Sequence, residues 1–401
     1  MRSNEVKIGQ IAVGGENEPK VMGVINLSPE SFYQQSVEKD ETHLIRRVEE
    51  MIKEQVAIID VGGASTAPKE IYGTSKVEIE KESKRIAQGL EVIKSVTDIP
   101  VSIDTTSAEV VEVALDYGID IVNDVSGFQG DPRMAKLVAE YDVPVVLMAN
   151  PSTGKQSLAN TLNQIKRSLE IATRENVDSG KIIIDPGIGF GKPMDFDITL
   201  LKNLDTFKML GHPLLVGVSR KAFIGTILDQ PDPEERLIGT IAATSIAVAN
   251  GADVIRAHDV LEAFQASKIG FGMRHQTTIS HNDAQILEIH DKYKAKILLE
   301  YVGTGKGIIK ALAKKMIHIS IHIRQVSIPG ALILKQEMLA LGGDAAYHHD
   351  TIDSKIDRTD VILMGTLLHM KKLAGKIKKM RYFGLEKIGS SIQTLLEIRN
   401  L

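Results

Sequence analysis

Polar residues suited to binding and acid–base work recur along the first two-thirds of the chain, each near the end of a short apolar run. They are Asn26, Asp60, Asp104, Asn123 with Asp124, Asn150, Asp185, the triplet Ser219-Arg220-Lys221, and Arg256 with His258. A ring of carboxylates and amides can hydrogen-bond the edge of a flat, nitrogen-rich heterocycle. Asp suits its amino-pyrimidine side, and Lys a ring carbonyl. Arg and His close together suit an anion. Taken singly, each has a plainer use. Asp104, followed by Thr105-Thr106-Ser107, serves equally as a helix N-cap, and Gly62-Gly63 or the glycines between Gly187 and Gly191 serve as tight turns. Polar termini on every run of the series, Asn and Lys included, are not explained that way.

Each of these residues needs an element to hold it, and the runs they terminate have the character of strands. Stretches 21–27, 57–63, 100–105, 121–127, 144–150, 181–188, 213–219 and 252–260 are short and nearly all apolar, the pattern of strands buried on both faces in a parallel sheet. The intervening stretches predict amphipathic helices, clearest over 43–55, 78–96 and 234–250. Eight consecutive βα units over about 250 residues predict an α/β fold of the (β/α)8 TIM barrel type. An open Rossmann-like sheet would need a glycine fingerprint after its first strand, and Asn26-Leu27-Ser28-Pro29 supplies none. In a barrel, strand-end residues gather at the C-terminal face, where binding and catalysis sit. Anion sites there fall near strands seven and eight, which end in Ser219-Arg220-Lys221 and in Arg256 and His258.

Beyond residue 271 the pattern changes. The expected organisation is a barrel domain over 1–272 and a smaller C-terminal α/β domain over 284–401, with the polar stretch 274–283 as linker. A chain of 401 residues exceeds the usual size of one core, which agrees with two domains. Segments 317–323, 328–341 and 360–378 are the clearest in the second region. Lys335, Glu337 and the Gly342-Gly343-Asp344 turn form a candidate second ligand site there, while His348-His349 are not read as metal ligands.

Composition narrows the chemistry. The hydrophobic fraction of 43% and charged fraction of 25% are those of an ordinary globular protein, and a net charge of -4 gives no reason to expect nucleic acid or an anionic membrane as partner. The basic run from Lys371 to Arg381 reads as a solvated helix face. Absence of cysteine excludes disulfides, thiolate-bound zinc and thiol catalysis. No signal-like or membrane-spanning apolar stretch is evident, so a cytoplasmic location is expected.

Specific runs point further. Val21-Met22-Gly23-Val24-Ile25-Asn26-Leu27-Ser28-Pro29-Glu30-Ser31-Phe32 resembles the opening signature of the dihydropteroate synthases. The similarity continues in Asp60-Val61-Gly62-Gly63-Ala64-Ser65-Thr66, Ser102-Ile103-Asp104-Thr105 and Asn123-Asp124-Val125-Ser126-Gly127. It is most marked in Asp185-Pro186-Gly187-Ile188-Gly189-Phe190-Gly191-Lys192 and Gly217-Val218-Ser219-Arg220-Lys221, and it closes with Arg256-Ala257-His258-Asp259-Val260. The ordered set, about one run per strand, is far more specific than any member.

The resemblance implies a transferase that joins 7,8-dihydropterin-6-ylmethyl diphosphate to an arylamine and releases diphosphate. By the same resemblance Asp104, Asn123, Met148, Asp185 and Lys221 hold the pterin, with Asp104, Asp185 and Lys221 catalytic. Thr66, Arg256 and His258 bind the diphosphate, Asn26 binds Mg2+, and Phe32, Ser219 and Arg220 line the arylamine pocket. The substrates are small molecules, and a homodimer is expected. Departures gather in two loops and one strand end. Tyr33-Gln34-Gln35-Ser36 replaces the usual Ser-Asp-Gly-Gly, Ala64 and Ala67 replace Glu and Arg, and Met148-Ala149-Asn150 replaces Met-His-Met. Members usually take 4-aminobenzoate, in folate synthesis; the first loop is similar to that of the archaeal branch, which implies instead a ribofuranosyl-aminobenzene phosphate or a related arylamine, as in methanopterin synthesis. Two other readings use the same pterin residues: a methyltransferase passing a methyl group from a methylated tetrahydropterin to a corrinoid protein, and a pterin-binding protein without enzymatic activity. The C-terminal region resembles an accessory α/β module of unknown role found fused to some members.

Overall fold

An antiparallel hairpin, β1 (Glu5–Ile8) and β2 (Ile11–Gly14), precedes the first long apolar run and turns at Gly9, whose φ of 55° favours glycine. The computed structural model describes residues 5–28, 41–64, 77–149, 156–274, 280–281, 284–285, 287, 289, 291–353 and 355–398. The chain divides into two compact units, Met1–Ile286 and Leu287–Leu401.

The first unit is a parallel barrel. Its strands are β3 (Lys20–Asn26), β4 (Ile58–Gly62), β5 (Val101–Asp104), β6 (Ile121–Asp124), β7 (Val145–Met148), β8 (Ile182–Asp185), β9 (Leu215–Val216) and β10 (Val254–Ala257). They pair in the order β8-β7-β6-β5-β4-β3-β10-β9, and a parallel bridge from Ile184 to Leu214 closes the ring. Most strand residues are fully buried because the ring packs inward on itself and outward on helices. All eight expected strands occur, and all but β3 are shorter than their apolar runs. Most of the polar residues close the strands themselves, while Ser219, Arg220, Lys221 and His258 follow in the loops.

The helices read from the sequence follow the same logic. α1 (Glu41–Lys53) buries Leu44, Val48 and Met51, spaced four and three apart on one face. α2 (Ile79–Val96) buries Ile86, Leu90 and Ile93 in the same way, and Glu82 one turn earlier. α3 (Ala108–Leu115), α4 (Met134–Glu140), α5 (Leu158–Arg174), α6 (Met194–Lys202), α7 (Ala222–Leu228), α8 (Leu237–Ala249) and α9 (Val260–Gly272) complete the outer layer among the described residues. The helix expected over 234–250 begins as a 3-10 turn, Pro233–Arg236, with Asp232 accepting from the Glu234 amide.

The hairpin was not foreseen. Val6, Ile8 and Val13 cluster with Met22, Ile58, Ile121, Val146, Ile183, Leu215 and Val254, the first inward residues of the barrel strands. It plugs the N-terminal mouth, and burying three such side chains contributes roughly 1.5–3 kcal/mol each. The expected linker also starts later than its first residue. Arg274 donates to the Val248 carbonyl (2.9 Å) and Asp253 (3.3 Å), so it belongs to the barrel floor. Among the described residues beyond it, the two-residue strands β11 (Ser280–His281) and β12 (Ala284–Gln285) precede the second unit.

The second unit is an α/β module. A three-stranded antiparallel sheet, order β13-β15-β14, is made from β13 (His318–Ser327), β14 (Asp344–Tyr347) and β15 (Arg358–Thr366). Ile319 and Ile321 of β13 and Val361 and Leu363 of β15 alternate inward to a core shared with α12 (Ile328–Leu341) and α13 (Leu367–Ile377), and a bulge between Ile323 and Val326 shifts the β13–β15 register. The segment expected over 360–378 is thus a strand running directly into a helix, with Thr366 and His369 forming a capping box at the junction. Helices α10 (Lys292–Tyr301), α11 (Lys306–Met316) and α14 (Leu385–Ile398) complete it.

Candidate active site

Barrel register brings the strand-end residues to one level. Gly62 pairs with Asp104, Asp104 with Asn123, and Met148 with Asp185. Across this rim Arg256 donates from Nε to Asp60 Oδ2 (2.7 Å) and from Nη2 to Asp104 Oδ2 (2.8 Å). Asn123 Nδ2 donates to the same Asp60 oxygen at 3.2 Å. Asp60 is fully buried and had been noted only as a strand-end residue. It is the acceptor on which the arginine and the amide converge. The two buried carboxylates hold the Arg256 guanidinium charged, well above its ordinary value, against the cost of burial. Arg256, expected as a diphosphate ligand, has two of its donors engaged within the rim.

The second cluster follows β8. Asp185 is buried and accepts from the Gly187 amide at 2.7 Å, and burial raises its pKa despite the neighbouring Lys221 and Lys192. Burial brings the amine of Lys221 down to about 8, with the Arg256 charge acting in the same direction. Its Nζ lies 4.1 Å from the centroid of the Phe190 ring. Gly189, at φ 76°, is required here: a Cβ would come within 2.5 Å of Lys221 Cδ. Lys192 and Asp197 were not assigned by sequence reasoning. Lys192 donates to the Gly187 carbonyl, and burial brings its amine down to about 8. Asp197 accepts from the Gly189 amide at 2.8 Å, and burial raises its pKa. The two side chains pin both ends of the Gly187-to-Gly189 turn. Lys192 closes the glycine-rich run 185–192, which is the signal for it in the sequence. Nothing in the sequence marks Asp197.

Around β9 and β10 the expected roles separate. Ser219 Oγ accepts from the His258 amide (3.2 Å) and lies 2.9 Å from His258 Nδ1. Burial, then Arg256, Arg220, Lys221 and Arg47, bring His258 down to about 3, so it meets an anion as a neutral N–H donor rather than a cation. Arg220, expected at the arylamine side, has its guanidinium clamped by both Asp259 oxygens (2.9 and 2.7 Å) and by the carbonyls of Pro233 and Glu234. It ties the loop after β9 to the loop after β10. Asp124 is likewise structural, accepting from Ser126 and the Phe128 amide within its own turn.

At the first two strand ends, α2 organises the loop stems. Arg85 Nη1 donates to the Gly63 carbonyl (3.0 Å) and to Ser28 Oγ (3.4 Å), while Glu82 accepts from Thr105 Oγ1 (2.7 Å), next to Asp104. One helical turn thus touches the ends of β3, β4 and β5. Asn26 sits at the end of β3, and Met148, buried, at the end of β7. Phe32, Thr66, Ala67, Asn150 and the 33–36 run lie outside the described residues. In the second unit the proposed ligand site is self-neutralised: Lys335 pairs with Asp344, and Glu337 with Lys376.

These features have counterparts in known proteins. A family model described as pterin binding enzyme matches residues 22–258. The chain is 40% identical over 267 residues to dihydropteroate synthase from Clostridium beijerinckii, covering 66% of this chain and 97% of that one. It is 35% identical over 263 residues to a probable bifunctional folylpolyglutamate synthase/dihydropteroate synthase from Haloferax volcanii, covering 63% of this chain and 30% of that one. Among solved structures it is similar to a Clostridium difficile dihydropteroate synthase in the presence of pteroic acid (TM-score 0.59, 36% identity, 65% of this chain and 98% of that one). It is also similar to the Xanthomonas albilineans enzyme with 4-aminobenzoic acid (TM-score 0.61, 30% identity, 67% of this chain and 97% of that one). With a barrel of this register and a family match over more than half its length, the chain belongs to the pterin-binding enzyme family, among its dihydropteroate synthase-like transferases.

Proposed function

We propose that the barrel transfers the pterinylmethyl group of 7,8-dihydropterin-6-ylmethyl diphosphate to 4-aminobenzoate. The bond from the methylene carbon to the diphosphate oxygen breaks, a bond to the amine nitrogen forms, and the amine proton passes to solvent. The observation that carries this reading is the pairing of two unlike environments on one rim. Asp185 with Lys221 forms a buried donor–acceptor cradle, and Arg256 with neutral His258 forms an anion-facing end. In this reading Asp185, Asp104 and Asn123 hydrogen-bond the pterin edge and Lys221 its carbonyl. The carboxylates stabilise positive charge developing on the pterinylmethyl group. No strong base is needed for an arylamine attacking such a centre.

The diphosphate end fits Mg2+. The ion characteristically takes one or two protein oxygens and completes its shell with waters and phosphate oxygens. Asn26, at the end of β3, carries an amide oxygen of the kind such an ion takes, and a Cβ on Gly62 would lie 3.8 Å from that oxygen, an ordinary contact distance. Bound there, Mg2+ would neutralise charge on the departing diphosphate.

The relatives solved with pteroic acid and with 4-aminobenzoic acid support that arylamine over the bulkier ribofuranosyl phosphate. The test is diphosphate release with each arylamine, repeated with Lys221→Ala and Asp185→Asn. Turnover with 4-aminobenzoate that falls at least tenfold in each variant, about 1.4 kcal/mol, is expected. Turnover confined to the ribofuranosyl substrate, or unchanged in both variants, refutes the assignment.

A further inference from the structure

The second unit carries a grouping that the transfer reaction does not use. After β14 the chain reads Tyr347-His348-His349-Asp350-Thr351, and His349–Thr351 folds into a 3-10 turn. Sequence reasoning declined to make His348 and His349 metal ligands, because two adjacent imidazoles need a third donor held at the right distance. The turn provides it. His348 Nδ1 lies 3.6 Å from Asp350 Oδ2, and His349 Nε2 lies 3.4 Å from Asp350 Oδ1. One ligand atom from each of the three residues falls within 4.8 Å of the others. With zinc–nitrogen and zinc–oxygen bonds of about 2.0–2.1 Å, neighbouring ligands of a tetrahedral ion sit about 3.4 Å apart. The two imidazole–carboxylate separations are near that spacing, each to a different Asp350 oxygen; an ion would draw the three donors together from within 4.8 Å and replace the bond that His348 Nδ1 accepts from the Asp350 amide (3.3 Å).

The turn is also held in place before any ion arrives. The His348 amide donates to Thr359 Oγ1 at 3.1 Å, fastening the turn to β15. Thr351 is fully buried, and its amide donates to the His348 carbonyl at 3.0 Å. The imidazole rings lie 4.3 Å apart at 32°, close to face to face. Arg358 of β15 donates to the Gln325 carbonyl (2.8 Å), and Asp360 is paired with His322 (2.9 Å).

We infer that His348, His349 and Asp350 form a surface site for a divalent transition metal of the zinc class. Two imidazoles and one carboxylate select such an ion over Mg2+ or Ca2+, which prefer all-oxygen shells. Three protein ligands leave one position open to water. The site is separate in chemistry from the diphosphate end of the barrel.

Metal-stripped full-length protein titrated with Zn2+ in millimolar Mg2+ tests this by calorimetry, alongside His348→Gln/His349→Gln and Asp350→Asn. The unaltered protein should bind one more equivalent than the double variant, and Asp350→Asn should weaken that equivalent at least tenfold. Unchanged far-ultraviolet circular dichroism and transferase turnover would show the variants to be folded, since the three residues lie outside the barrel. Equal stoichiometry and affinity in all three proteins overturns the site.

Discussion

Arg256→Gln is the most informative single change, because the arginine is the cation shared by two buried carboxylates. Asp60 is fully buried and Asp104 nearly so, and each accepts a short bond from the guanidinium. Removing one partner of a buried ion pair typically costs 3–5 kcal/mol, since the remaining charge is left uncompensated. Two features reduce the figure here. Asn123 still donates to Asp60, and the Arg256 side chain is 20% exposed at the barrel mouth, so water can enter the gap. The working value is about 3 kcal/mol, or roughly 6–12 °C in melting temperature for a unit of this size. Differential scanning calorimetry is the suitable assay, because the chain has no tryptophan to report by fluorescence. The cycle is completed with Asp60→Asn. The double variant should lose about 1–3 kcal/mol less than the sum of the single changes, because the uncompensated charge has gone. A loss under about 0.5 kcal/mol in Arg256→Gln, or strict additivity with Asp60→Asn, would refute the reasoning. Arg256 would then be an anion ligand alone.

Three further outcomes follow from the same rim. Lys221 and Lys192 hold their amines at about 8 in the fold, below the ordinary 10.5. Between those values the unfolded chain binds more protons, so stability rises with pH by up to about 1.4 kcal/mol per pH unit per lysine. Denaturation across pH 8–10 should show that rise, and Lys221→Met should blunt it. An unchanged slope in the variant contradicts the assigned burial. His258, held near 3, stays neutral through the physiological range, so its imidazole resonances should not titrate between about pH 5 and 8. Acidification from 6.5 toward 3 should destabilise the protein less in His258→Gln, because the unfolded wild-type histidine takes up a proton that the folded one refuses. Arg85→Ala should lower kcat/KM about tenfold by releasing Ser28 and Gly63, the stems of the first two loops. Arg85→Lys should recover part of that, and wild-type kinetics in Arg85→Ala would make the contact merely decorative.

The amino-acid order alone determined the barrel, because a strand buried on both faces must be apolar throughout and eight such runs recur at regular spacing. It also marked the rim, since a polar residue closing an apolar strand has few other uses. The N-terminal plug was not legible: Val6, Ile8 and Val13 have meaning only against the floor of a ring already closed. Nor was the division of labour among the cations. Arg220 and Arg256 look equivalent in sequence, but one is tied to Asp259 and backbone carbonyls, while the other is shared by Asp60 and Asp104 and still reaches the mouth. His258 reads as a positive group until burial beside four basic side chains makes it neutral. Adjacent His348 and His349 became a candidate metal site only when a 3-10 turn brought Asp350 back to them. Charge state and partnership depend on distances between residues far apart in the chain or folded back within a turn, and sequence order does not record those distances.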